Sequence, residues 1–247
     1  MTPSTPVVTT QREAPLISRL LAEGLGSALL VATVVGSGIA AQRLSPTDTG
    51  LALLENAIAT GAVLFVLISV LGTVSGAHFN PVVTGVESWL GGLSRRDVAP
   101  YVVVQVVGAC GGAILANLMF GLSAVSVSEH VREGSGILLS EVVATFGLVL
   151  VILGLVRGGR SALVAPAVAA YITGAYWFTA STSFANPAVT IGRTLSDTFA
   201  GIAPVSVPGF VLAQVLGGVL ATVVALVLWP HPSRKHAVAG DVHDETR

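Results

Sequence analysis

The sequence predicts an all-α membrane protein in which six transmembrane helices and two re-entrant half-helices form two inverted repeats. Three observations support this fold class: an apolar composition, six long apolar stretches, and one short Asn-Pro motif that occurs twice outside those stretches. Hydrophobic residues make up 53% of the chain and charged residues 10%, whereas about a quarter of the residues in a soluble domain are charged. We therefore expect the lipid bilayer as a partner, and the net charge of −1 gives no reason to expect nucleic acid.

Six apolar stretches are long enough to cross a bilayer, which takes about 20 helical residues. They lie at 18–41, 51–74, 98–121, 137–156, 161–181 and 208–229. Two shorter segments, 80–90 and 186–197, lie between these stretches. They cannot span, and we expect them to be half-helices that enter the membrane from opposite faces.

The repeated motif opens both short segments. It reads Asn80-Pro81-Val82 in the first half, here called the first box, and Asn186-Pro187-Ala188 in the second half, the second box. Asn followed by Pro is typical of a helix start, since the Asn oxygen caps backbone N–H groups and Pro fits the first helical position. The amide NH2 of Asn80 and of Asn186 then stays available as a donor. Two such helix starts at one buried point would attract the oxygen of a neutral molecule and repel a cation.

Two further landmarks repeat in the same order as the boxes. Glu23 opens the first span and Glu141 the fourth, while Gln105 lies in the third span and Gln214 in the sixth. Because each half contains three spans, an odd number, the second half must enter the membrane upside down relative to the first. This inversion brings the two half-helices tip to tip. A carboxyl inside an apolar span is costly, so Glu23 and Glu141 are expected to have a specific role.

Residues 75–82 (SGAHFNPV) and 183–188 (SFANPA) resemble the paired Asn-Pro-Ala boxes of the aquaporin and aquaglyceroporin family. The resemblance implies a passive transmembrane channel for small neutral solutes: water, glycerol-like polyols and metalloid acids such as arsenous acid. It also implies that Glu23 and Glu141 hold the loops before the boxes through hydrogen bonds. For His78, just before the first box, it favours a place in the lining of the cytoplasmic path.

The same resemblance implies a homotetramer with a pore in each subunit, no cofactor and no enzymatic activity. The five histidines and the scattered carboxylates show no spacing typical of a metal site or a catalytic triad. We expect a channel domain at 16–229, made of inverted repeats at 16–122 and 137–229, between tails at 1–15 and 230–247.

The distribution of lysine and arginine between the two sides indicates how the chain is oriented in the membrane. With both tails in the cytoplasm, nine of these residues lie inside the cell and three lie outside, which the positive-inside rule favours. The three on the outside are Arg43, Arg132 and Arg193. We therefore expect a multi-pass protein of the plasma membrane with both termini cytoplasmic.

In the family, four residues near the outer mouth form a selectivity filter, and their spacing from the boxes transfers them to this chain. The four positions are Thr60, Gly174, Ser183 and Val189. The family ordinarily has an arginine where this chain has Val189, so the resemblance is to a bacterial branch that lacks the filter arginine and is associated with arsenic resistance. Four small, uncharged residues predict an opening wider than a water filter, without the usual cation.

Arg193 bears on this prediction, because it lies one helical turn beyond Val189 on the same face. Side chains on a helix lean toward its N-terminus, so the guanidinium of Arg193 can reach toward the filter. Alternatively, Arg193 pairs with Asp197 as a surface ion pair at the mouth. The sequence leaves both interpretations open.

Two functions from other classes also remain open at this stage. The first is a secondary transporter coupled to ions or protons, because such transporters are also built on inverted repeats with broken helices. A structural or adhesive membrane protein is the other. The spans provide no intramembrane His or Lys partner near Glu23 or Glu141, and this weighs against proton coupling.

Overall fold

The structure is a computed structural model that describes residues 14–230. Eight α-helices follow one another within these residues: α1 (Leu16–Leu44), α2 (Thr49–Ser75), α3 (Pro81–Trp89), α4 (Arg95–Met119), α5 (Ser135–Arg157), α6 (Val164–Phe178), α7 (Pro187–Gly192) and α8 (Val207–Leu228). Residues 1–13 and 231–247 lie outside the described part, so the predicted tails fall almost wholly there.

Six helices are long and apolar enough to cross a membrane, and each coincides with one predicted span. The all-α fold class is thereby confirmed, with differences at the helix ends. The fifth span, expected to reach residue 181, ends at Phe178, because Thr179 adopts an extended conformation. The second half-helix is shorter than expected: α7 stops at Gly192, and a 3-10 turn at Arg193–Leu195 follows it.

The helices form two matching halves. In the first half α1 packs against α4, and in the second half α5 packs against α8, while α2 and α6 pack against each other across the halves. The short helices α3 and α7, here called the box helices, touch each other between the two halves. The box helices therefore meet inside the bundle, as the inverted repeat predicts.

Glycine allows the long helices of each half to approach closely. A Cβ at Gly108 of α4 would collide with the backbone of Gly24 in α1, and a Cβ at Gly112 would collide with Ala28. In the second half, a Cβ at Gly217 of α8 would meet the carbonyl of Val142 in α5. Close backbone contact of this kind is the usual way helices pack in lipid, where burial of apolar surface gives no driving force.

Candidate pore and its outer constriction

Both boxes begin helices through the same cap. The side-chain oxygen of Asn80 accepts a hydrogen bond from the N–H of Val82 at 2.9 Å, and that of Asn186 accepts from Ala188 at 2.9 Å and Val189 at 3.3 Å. Both Asn residues have extended backbones, and proline occupies the first helical position in each case. The sequence folds this way because Asn satisfies N–H groups that the first helical turn cannot.

Each Asn also reaches across to the other half. Its amide nitrogen donates to the carbonyl just before the other box: Asn80 to Ala185 at 2.8 Å and Asn186 to Phe79 at 2.7 Å. This reciprocal pair of hydrogen bonds holds the two helix starts tip to tip. One N–H of each amide is left over, because the group has two donors.

The loop before the first box is held by Glu23, which is fully buried. Its carboxylate accepts from the backbone N–H of His78 at 2.9 Å, from Phe79 at 2.7 Å and from the hydroxyl of Ser75 at 2.6 Å. These donors have no water to replace the carboxylate in the interior of the bundle, so each bond contributes to stability.

The second loop repeats this arrangement with Glu141, which is also fully buried. Its carboxylate accepts from the backbone N–H groups of Phe184 and Ala185, both at 2.9 Å. The glutamates are further linked to the box helices by glutamine. Gln105 donates to Glu23 and Thr84, and Gln214 donates to Glu141 and Thr190.

Both loops contain residues with strained backbones. Ala77 and Phe79 in the first loop, and Ser183 and Ala185 in the second, have φ values of 49° or 50°, a region that non-glycine residues rarely adopt. Each such residue costs about 1–3 kcal/mol and persists only where its surroundings enforce it. The buried carboxylates provide that enforcement, which explains why charged groups occur inside two apolar spans.

A cavity of about 650 Å³ lies along the box helices. One end lies beside Glu87, near the C-terminal end of α2, and the other lies beside Thr60 and Arg193. Asn80 and Asn186 line it between these ends. The remaining amide donors are therefore placed against an otherwise mostly apolar passage.

His78 also lines the cavity, beside the first box. Its Nδ1 lies 3.2 Å from the hydroxyl of Thr84, and its ring lies 5.6 Å from the ring of Tyr101. The other ring nitrogen makes no hydrogen bond to the described residues. The equivalent position in the second half is Phe184, so the two loops differ chemically here.

Three of the four expected filter residues lie together at one end of the cavity: Thr60, Ser183 and Val189. The prediction for Gly174 is wrong. Gly174 is exposed, no atom lies within 4 Å of a Cβ built on it, and it is absent from the cavity wall. Ile172 and Tyr176 line the cavity instead, and Gly174 lies between them on the opposite face of α6.

Tyr176 takes the place expected for Gly174. It lies ten residues before Asn186, whereas the family spacing used for the prediction was twelve. Its phenolic oxygen lies 3.2 Å from the hydroxyl of Thr60. The count failed because it depends on the length of the connection between α6 and the second box, which the sequence does not reveal.

Arg193 is buried and lines the same end of the cavity. Its Nε donates to the carbonyl of Ala200, and its guanidinium carbon lies 3.4 Å from the ring centroid of Phe184. Of the two alternatives that the sequence leaves open, the surface pair with Asp197 does not form in the described residues: that carboxylate accepts from Ser128 and Glu129 instead. The sequence predicted only small, uncharged residues at this end of the cavity. That prediction is wrong, because the charged side chain of Arg193 lies there as well.

We call this end of the cavity, made by Thr60, Tyr176, Ser183, Val189 and Arg193, the outer constriction, after the side of the membrane that the sequence predicts for it. The hydroxyl of Ser183 is buried there without a partner among the described residues. The outer constriction thus combines an apolar side chain, three hydroxyls and one guanidinium.

The loop that leads to α5 adds a second guanidinium nearby. That of Arg132 lies 5.2 Å from the ring centroid of Phe184 and donates to the carbonyl of Gly201. Burial and the neighbouring charges of Arg132 and Arg193 lower the pKa of His130 below its ordinary value. The guanidiniums of Arg132 and Arg193 both contribute positive charge to this end of the cavity.

Comparison with known proteins gives consistent results. A family model described as Major intrinsic protein matches residues 10–179. The chain is 54% identical to Aquaglyceroporin AqpS of Rhizobium meliloti over 218 residues, which cover 88% of this chain and 92% of that protein. It is 31% identical to Aquaporin AqpM of Methanothermobacter marburgensis over 238 residues, which cover 83% of this chain and 95% of that protein.

A solved structure resembles the fold. The X-ray structure of the aquaglyceroporin from Plasmodium falciparum aligns with a TM-score of 0.69 and 20% identity, and the alignment covers 87% of this chain and 98% of that one. At this identity the likeness shows a shared fold.

Proposed function

Because the chain belongs to the major intrinsic protein family and is a passive channel for water and glycerol-like solutes, we propose that the cavity along the box helices is its conduction path. The reciprocal bonds of Asn80 and Asn186 carry this proposal. They fix the orientation of both amides, so that the remaining N–H of each is directed at a solute instead of rotating freely. A solute oxygen that has left bulk water accepts from these donors as it passes.

The same arrangement opposes cations. Amide donors and the N-terminal ends of both box helices present positive partial charge to the middle of the path. Arg193 adds a full charge at the outer constriction, where its burial limits screening by water. This repulsion acts on a cation and does not act on a neutral molecule.

The outer constriction supports a polyol as the larger solute. Val189 presents an apolar surface, whereas Thr60, Ser183 and Arg193 present donors and acceptors. A polyol has both kinds of surface, with C–H groups along one side and hydroxyls along the other. We extend the proposal to neutral metalloid acids such as arsenous acid, which carry hydroxyls on a compact centre.

The buried glutamates support a passive channel over a coupled transporter. Each accepts two or more hydrogen bonds from loop groups in its own half, and neither lines the cavity. A carboxylate that shuttles protons must be able to release its partners. No observation in the described residues favours the transporter.

We propose that the end of the cavity near Glu87 faces the cytoplasm. Among the described residues, five arginines lie at that end of the bundle or in its connections: Arg19, Arg95, Arg96, Arg157 and Arg160. Three lie toward the other end, namely Arg43, Arg132 and Arg193. The positive-inside rule supports this orientation in the plasma membrane, with both termini cytoplasmic.

We also propose the channel domain at 16–229 and a homotetramer, each subunit with its own cavity. The cavity lies within one chain, so no second copy is needed to complete it. The mass of the purified protein in detergent, measured by light scattering with the detergent contribution subtracted, distinguishes a tetramer from a monomer.

The experiment that tests the path uses purified protein in liposomes and measures glycerol uptake by light scattering. Asn186→Asp keeps the cap oxygen and replaces the amide donor by a carboxylate, so we expect slower glycerol uptake and a new cation leak. Asn117→Asp is the matched control, because Asn117 is buried outside the cavity and bonds the carbonyls of Ala124 and Leu195. Equal glycerol and cation fluxes in Asn186→Asp and the wild type would contradict the proposal.

A further inference from the structure

The internal repeat places opposite charges at equivalent positions of the two halves, one in α3 and one in the 3-10 turn directly after α7. Glu87 lies seven residues after Asn80, and Arg193 lies seven residues after Asn186. Both side chains line the same cavity, and among its described lining residues they are the only carboxylate and the only guanidinium. Because the second half is inverted, equivalent positions lie at opposite ends of the path. One end therefore carries a negative group and the other a positive group.

The carboxylate of Glu87 lies at its end without a hydrogen-bond partner among the described residues. It packs against the loop after α3, where a Cβ at Gly92 would collide with its Oε1. The side chain is half-buried, and it also lines a second, polar cavity of about 310 Å³ that adjoins the first. It is thus held at the mouth while remaining in contact with water.

The rest of the path is positive. The Asn amides, the starts of the box helices and Arg193 all repel cations, and for the same reason they attract anions. A channel that passes only neutral solutes must exclude both cations and anions. Steric exclusion does not suffice, because a small inorganic anion is no larger than glycerol. Loss of hydration in the mostly apolar passage opposes every ion, but the positive groups described above lower this barrier for anions.

We propose that Glu87 raises the barrier to anions again: it is a specificity-determining residue at the inner mouth that opposes anions, as Arg193 and the box helices oppose cations. The proposal rests on the conduction path proposed above. A solvated carboxylate repels an anion a few Å away by an amount that corresponds to a reduction in anion entry of about tenfold. Its action on glycerol is small, because glycerol carries no net charge.

The test compares nitrate with glycerol in the full-length protein. Nitrate is smaller than glycerol and stays ionised at all working pH values, so it does not cross lipid as a neutral acid. Nitrate current is measured across planar bilayers under a potassium nitrate gradient, and glycerol uptake is measured in liposomes from the same preparation. The variants are Glu87→Gln, which removes the charge and keeps the shape, and Glu87→Asp, which keeps the charge. Glu133→Gln, an exposed site outside the cavity, is the matched control.

We expect Glu87→Gln to raise nitrate current about tenfold and to change glycerol uptake far less, and Glu87→Asp and Glu133→Gln to match the wild type in nitrate current. Unchanged nitrate current in Glu87→Gln, together with retained glycerol uptake, would overturn the inference and leave the proposed conduction path standing. Loss of glycerol uptake in Glu87→Gln would also overturn it, since the carboxylate would then be needed for the path itself. Failure of the conduction path is seen separately, as glycerol uptake that is unaffected by Asn186→Asp.

Discussion

The phenolic oxygen of Tyr176 lies 3.2 Å from the hydroxyl of Thr60, so a hydrogen bond joins α6 to α2 across one end of the cavity. Neither this contact nor Tyr176 itself was identified from the sequence. Tyr176 is the largest of the neutral side chains there, and its neighbours Thr60, Ser183 and Val189 are small.

Replacing Tyr176 by Ala is therefore expected to widen the outer constriction. Uptake of a five-carbon polyol such as ribitol should rise relative to glycerol by about an order of magnitude, because the widest solute gains most from the removed ring. Light scattering from liposomes measures both fluxes. Gly174→Ala is the control, since Gly174 lies on the opposite face of α6 and should leave the ratio unchanged. A shifted ratio in Gly174→Ala but not in Tyr176→Ala would restore Gly174 to the filter.

Arg193→Leu is expected to admit cations. Its guanidinium is buried against the Phe184 ring and the Ala200 carbonyl, so its charge acts on the path with little screening. We expect potassium current in planar bilayers to rise by about tenfold or more, while glycerol uptake falls because a polyol donor is lost but stays above background. Arg43→Leu, at the same end of the bundle but outside the cavity, should show wild-type current. If both variants conduct potassium equally, Arg193 has no special role.

Val189→Arg tests how much of the solute range depends on the apolar residue in the second box helix. A second guanidinium one turn from Arg193 narrows the outer constriction, so glycerol uptake should fall much more than water uptake. Val189→Leu adds bulk without charge and should have a smaller effect on glycerol. Water and glycerol permeabilities of the same liposomes check the prediction. Equal losses of the two would mean that the variant closes the path instead of narrowing it.

Replacement of the buried glutamates should destabilise the protein before it alters selectivity. Glu23→Gln and Glu141→Gln each turn part of an acceptor into a donor that faces backbone N–H groups. A buried donor without a partner costs about 1–3 kcal/mol, and the strained loops depend on these bonds. The fraction of protein that remains monodisperse in detergent during heating measures the loss, with exposed Glu129→Gln as control. Well-folded variants that lack proton-coupled flux would instead favour the transporter.

The spans, the boxes and the inverted repeat were predictable because they depend on local composition and order along the chain. The six spans are confirmed, since hydropathy and length alone identify them. Tyr176 could not be identified, because which face of α6 lines the cavity depends on where that helix starts and ends. Arg193 stayed ambiguous for a different reason: its choice between Asp197 and the cavity is decided by tertiary contacts with Phe184 and Ala200.

Glu87 was missed although the sequence contains the signal. The comparison of the two halves stopped at the boxes, and continuing it by one helical turn pairs Glu87 with Arg193. Two charged residues of opposite sign at equivalent positions of the two halves can be recognised without a structure. That both side chains line one cavity is not visible, because it requires the inverted packing of the two box helices.

Ser183 allows the most direct test of the conduction path, because its hydroxyl is buried in the outer constriction without a partner among the described residues. Cys110 is the single cysteine of the chain. In a Cys110→Ala background, Ser183→Cys and Gly174→Cys therefore each provide one thiol, the first in the cavity and the second on the face of α6 opposite the cavity. The measurement is glycerol uptake before and after N-ethylmaleimide, a neutral reagent, with labelling verified by mass spectrometry. We predict that labelling reduces uptake to background in Ser183→Cys and leaves it unchanged in Gly174→Cys. Full labelling of Ser183→Cys with unchanged glycerol uptake would contradict the account, because the solute would then cross the membrane elsewhere.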